Sequence, residues 1–134
     1  MPDANTLQSD ARLAARSRDA LTVLAFLLLR SRKAEKAHAL LKGLNLLLPA
    51  DRDLLKLLAA ASQAVGEPAM ALDCVAGCRA LATGEEEVFA LDIMESQALF
   101  ALGRKDEAGA LLSAALERRA AGGATGPAAR EAQP

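Results

Sequence analysis

Tryptophan and tyrosine are absent, and the aromatic residues amount to three phenylalanines. β-Branched residues are scarce too, so the side chains that strands favour are largely missing. Leu and Ala, both strong helix formers, dominate in their place, and an all-α chain follows. The chain also lacks an excess of charge. Sixteen basic against seventeen acidic residues leave a formal charge of −1, which gives a polyanion or an anionic membrane nothing to bind. No nucleic-acid partner is expected.

Long apolar runs are missing as well. The one candidate, residues 20–29, is too short to span a bilayer. Arg30-Ser31-Arg32-Lys33 follows it instead of a small-residue cleavage site, so it reads as a buried helix and not as a signal peptide. No membrane insertion and a cytoplasmic location are the expectations.

The chemistry-bearing residues are equally sparse. Cys74 and Cys78 are the only cysteines. At i, i+4 on one helix face they are poorly aimed for a disulfide and too few for zinc, so they read as small buried hydrophobes. His38, the only histidine, falls in a charged stretch and reads as a solvated residue on the outer face of the second helix. Gly122-Gly123 lies in a polar tail and not between a strand and a helix, so it is no phosphate loop. Glu85-Glu86-Glu87 opens a helix, where carboxylates complement the dipole. No catalytic residue, metal ligand or cofactor site emerges, and a non-enzymatic protein is expected.

What the chain does contain is a repeat. Three segments share a turn-and-alanine signature: Arg32-Lys33-Ala34-Glu35-Lys36-Ala37, Gly66-Glu67-Pro68-Ala69-Met70-Ala71 and Gly103-Arg104-Lys105-Asp106-Glu107-Ala108. Their closing alanines are 34 and then 37 residues apart, and 34 is the tetratricopeptide period of one helix-turn-helix unit. Leu41, Val75 and Leu112 then take the apolar position four residues on, with Leu44, Cys78 and Ala115 three further. In the first helices the same frame selects Leu21, Leu24, Ala25 and Leu28, then Leu55, Leu58, Ala59 and Ser62, then Asp92, Glu95, Ser96 and Leu99. The third set fits poorly and follows a three-residue excess near residues 83–88.

Boundary chemistry predicts six helices, near 18–31, 34–47, 51–65, 68–82, 86–102 and 105–119. Pro49 stops the second, Asp51 caps the third, Pro68 opens the fourth, and Thr83 with Glu86 forms a capping box for the fifth. The expected architecture is three tandem tetratricopeptide-like hairpins over residues 18–119. Residues 1–17 are expected to be an arm or a cap, and residues 120–134 a disordered tail.

Stacked hairpins place their first helices on the concave side. The consensus frame puts Thr22, Phe26, Leu29 and Arg30 there, then Lys56, Ala60 and Gln63, then Ile93, Gln97 and Phe100. Apolar anchors among a few polar donors suit a bound polypeptide; the alternative is that Phe26 and Phe100 fill the core. The last helix presents Leu111, Leu112 and Leu116 with no further unit to cover them. That face is a second candidate interface, unless the helices close on themselves or residues 1–17 fold across it.

Ala34-Glu35-Lys36-Ala37 with Leu40-Leu41, Leu44 and Leu48-Pro49, and Leu99 leading to Gly103-Arg104-Lys105-Asp106-Glu107-Ala108, give the chain a resemblance. Over residues 18–119 it resembles the tetratricopeptide-type chaperones of bacterial type III secretion, and most of all the YscY type. Chaperones of the translocators (the LcrH/SycD type) and of the needle subunit (the YscG type) look similar at this level. The resemblance implies a cytoplasmic chaperone that wraps a segment of one secretion substrate. For the YscY type this is a small YscX-like protein, and the pair engages the cytoplasmic domain of the export gate. A homodimer without client is a further expectation. Arg32 in place of a turn glycine, with Asp92 and Glu95 in place of apolar residues, departs from the family pattern. A general tetratricopeptide adaptor unrelated to secretion is the competing expectation.

Overall fold

Among the described residues six helices form in chain order: α1 (Ala4–Arg30), α2 (Ala34–Leu47), α3 (Arg52–Ala64), α4 (Pro68–Leu81), α5 (Glu85–Ala101) and α6 (Lys105–Gly123). The structure, a computed structural model, describes residues 3–123, and no strand occurs among them. The tail expected to be disordered lies outside the described residues from 124 onward.

The helices pair as three antiparallel hairpins whose tight turns share one geometry. Arg32, Gly66 and Gly103 all have positive φ, 61°, 82° and 83°. In each turn the next residue's N–H reaches back to the helix: Lys33 to Leu28 O and Glu67 to Ser62 O at 2.8 Å, Arg104 to Leu99 O at 2.9 Å. This is the Schellman closure, which satisfies carbonyls that a helix end would otherwise leave without partners. Asp51 caps α3 through its side chain, accepting from Leu54 N at 3.2 Å, and Pro68 stands at the start of α4, both as expected.

Packing follows the repeat. Ala37, Ala71 and Ala108, the alanines of the signature, are all buried, as are Leu41, Leu44, Val75, Cys78 and Ala115. The central core joins Ala37, Leu41, Leu44, Val75 and Cys78 to Leu54, Leu55, Leu58 and Leu91, with Ala25, Ala59 and Ala61 among them. Removing such side chains from water is the main stabilising term, about 2 kcal/mol for each fully buried leucine. Successive hairpins stack through α2 on α3 and α4 on α5. The first helices α1, α3 and α5 also touch in turn, which gathers them on one side of a short solenoid.

Several expectations need correction. Residues 4–17 prolong α1 as helix, capped by Asp3, whose carboxylate accepts from Thr6 N at 2.8 Å. All of them are exposed, so they neither fill the groove nor cap the stack. The helix around residues 20–29 buries only Ala25 and half-buries Leu21, Thr22, Leu28 and Leu29, because none of the described residues covers its other side. The last helix extends to Gly123, past the expected end at 119. The fifth helix begins after Gly84, and Glu87, not Glu86, reaches back to Thr83 N at 3.1 Å.

Candidate partner-binding face

The ten residues assigned to the concave side all lie on α1, α3 and α5, and none of them is fully buried. Phe26 is 45% and Phe100 60% exposed, so neither fills the core. Each carries a cation beside its ring: the Arg30 guanidinium is 5.7 Å from the Phe26 centroid and the Lys105 ammonium 5.6 Å from that of Phe100. Leu29 packs half-buried against the core and Ile93 is half-buried, while Ala60 and Gln97 stand exposed.

Polar links tie this side together. Gln63 Nε2 donates to Gln97 O at 3.3 Å, joining α3 to α5, and Gln63 Oε1 has no hydrogen-bond partner among the described residues. Lys56 is engaged in an ion pair. Its ammonium lies 2.8 Å from Glu87 Oε1, and Arg52 reaches Glu87 Oε2 at 3.2 Å. The Lys56 side chain therefore holds the Glu87 carboxyl below its ordinary range. Thr22 spends its hydroxyl on Arg18 O at 2.7 Å.

Three clusters lay outside the sequence reading. Arg18 forks onto Asp51, with Nε to Oδ2 at 2.7 Å and Nη2 to Oδ1 at 2.6 Å, and also touches Asp53 at 3.1 Å. Its hydrogen bonds hold the Asp51 carboxyl below the usual carboxylate range. Asp92 is buried between Arg79, at 2.6 Å, and Arg118, and Arg79 also meets Glu95 at 2.5 Å. The two acidic residues that broke the consensus are thus the partners of arginines on the flanking helices. Their sequence signal was the departure itself, a carboxylate at a position the frame buries. Lys105 beside Phe100 is the third.

His38 also needs correction. It is buried, with Nε2 3.3 Å from Met70 Sδ and 3.4 Å from Glu67 Oε2, because these two residues at the start of α4 lie against it. Cys74 and Cys78 are buried free thiols, as expected, and burial pushes Cys74 up to about 11. On the last helix Leu112 and Leu116 are exposed and Leu111 is half-buried.

Two open pockets lie elsewhere. One of about 420 Å³ sits at the first turn between Arg32, Lys36 and Val65. Another of about 320 Å³ lies between α2 and α4, walled by Leu46, Met70 and Cys74. None of the ten residues lines either. Among the described residues no helix is long and apolar enough to cross a membrane.

Fold and face together define an all-helical stack of hairpins with an accessible side built from its first helices. Compared with known proteins, the chain matches no family model, no curated protein and no solved structure at a significant level.

Proposed function

We propose that this chain is a non-enzymatic tetratricopeptide-type binding protein that holds a segment of another polypeptide against α1, α3 and α5. Within that reading it acts as a cytoplasmic chaperone of bacterial type III secretion, most similar to the YscY type. Its client is a small YscX-like secretion substrate, which it helps present to the cytoplasmic domain of the export gate. The observation that carries the reading is the pair of exposed phenylalanines, Phe26 and Phe100, on the outer two of the three first helices. Large aromatic side chains exposed on one face are what an apolar anchor of a partner would cover. The cations beside them, Arg30 and Lys105, add donors for the partner's backbone carbonyls and acidic side chains.

The test is co-expression of a YscX-like client with the chain carrying Phe26→Ala and Phe100→Ala together. Truncating a buried anchor commonly costs about 2 kcal/mol or more, so capture should fall by more than tenfold. The melting temperature should stay close to that of the parent, because both rings are already exposed. Undiminished capture with an intact fold would remove the face from the interaction. Absence of any capture by the parent chain would favour an adaptor with no role in secretion.

A further inference from the structure

The repeat allows each end of the stack to be compared with its interior. On α3 and α5 the face turned toward the preceding unit is covered: Leu54, Leu58 and Ala61 are buried, as are Leu91 and Ala98. The equivalent row on α1 is Ala20, Leu24 and Leu27. Leu24 is 46% exposed where Leu58 is 3%, and Leu27 is more exposed still. The other end is open in the same way. Leu112 is 37% exposed where its equivalent Val75 is 1%, and Leu116 lies exposed one turn further on.

The interior junctions show what belongs on each row. What covers α3 is the second helix of the unit before it, α2, and what covers α5 is α4. Arg79 and Glu95, in contact at 2.5 Å, fix which positions meet across the α4–α5 junction. Moved along the repeat to the two ends, that pair becomes Leu116 on α6 and Leu24 on α1. An ion pair inside the stack is thus replaced by two exposed leucines at its termini. These leucines sit at matching positions, but α1 and α6 cap opposite ends of the stack, so one chain cannot bring them together.

We propose that copies of this chain associate head to tail, the α6 row Leu112 and Leu116 of one copy docking on the α1 row Ala20, Leu24 and Leu27 of the next, as α4 docks on α5. The contact is heterologous: it leaves one free end of each kind after every addition, and so it builds open chains instead of a closed dimer. Being apolar, it responds little to salt.

Sedimentation velocity on the full chain between about 1 µM and 1 mM, the range in which weak contacts become populated, reads the proposal directly. The parent should show a mass that climbs continuously with concentration. Leu24→Glu and Leu116→Glu should each be monomeric throughout, with helical content by circular dichroism unchanged. Their equimolar mixture should form a pair of about twice the monomer mass and nothing larger, because it holds one good face of each kind. A parent that stays monomeric at the highest concentration overturns the proposal. So does a discrete dimer lost in Leu24→Glu but kept in Leu116→Glu, which would mean α1 against α1, and so does a mixture that stays monomeric. Should a glutamate variant lose helicity, Leu24→Gln or Leu116→Gln takes its place in the same scheme.

Discussion

At Arg32 the backbone adopts φ 61°, the left-handed region that Gly66 and Gly103 occupy in the other two turns. A side chain there costs about 1 kcal/mol or more, because its Cβ crowds the following carbonyl. Arg32→Gly should therefore raise stability by about 1 kcal/mol and the melting temperature by a few degrees. Gly66→Ala and Gly103→Ala should lower it by a similar amount. Nothing lies within 4 Å of a Cβ built at either glycine, so the cost is conformational alone. Thermal unfolding of the three variants separates the cases by sign. Asp92 is the second residue whose role the repeat frame obscured. Its buried carboxylate lies between Arg79 and Arg118. Asp92→Ala should cost about 1–2 kcal/mol in urea unfolding, from the lost charge-assisted hydrogen bonds, since Arg79 keeps Glu95 and Arg118 is exposed to water. Asp92→Leu, which restores the consensus, should cost less if it fills the same volume.

Among the elements, α1 differs most from its repeat equivalents. It has 27 residues where α3 has 13, and residues 4–17 have no buried position. Helix without tertiary contacts is marginal in water, so this stretch should exchange its amide hydrogens fast and open locally. Deleting residues 1–16 should leave the melting temperature within about a degree of the parent, given that Arg18 and the core of α1 remain. A large drop would show that the extension is packed. Cap chemistry explains why sequence reading stopped short of this helix: Ala4 to Ser17 lacks apolar periodicity, and only Asp3 with Thr6 marks its start. The fifth helix shows the same limit at the scale of one residue. Thr83 and a glutamate do pair, yet Glu87 is the one that reaches back, because the helix begins at Glu85.

For the molecule as a whole, units are joined by ion pairs between first helices as well as by the core. Arg18 binds Asp51 from the neighbouring hairpin, and Lys56 with Arg52 binds Glu87 of the next. Both carboxyls are held below their ordinary values of 3.8 and 4.5. A depressed carboxyl binds its proton more weakly in the folded than in the unfolded state. Its stabilisation is therefore complete above the ordinary value and lost as pH falls through the folded one. Unfolding free energy should stay level from pH 7 to about 5 and decline below about 4. Arg18→Gln should cost about 1–2 kcal/mol at neutral pH, from the lost forked hydrogen bonds. The same variant should flatten the acid decline, as measured by urea titration at each pH.

The helical class, the 34-residue period, the three turns and the buried alanines were determined by the sequence alone. Local chemistry suffices for them: helix propensity, positive-φ turns and small residues at regular spacing report on neighbours a few residues away. The accessible side formed by α1, α3 and α5 was legible for the same reason, since position in the repeat sets which way a side chain points. Only the tertiary structure decided which polar residues pair. Asp92 meets Arg79 and Arg118, Arg18 meets Asp51, and His38 is buried against Met70. Each of those partners lies on another helix or at its cap, 13 to 33 residues away in the chain, and no local period encodes such a meeting. Exposure at the two ends was likewise a tertiary matter. Leu24 and Leu58 share a repeat position and differ only in whether another hairpin stands in front of them.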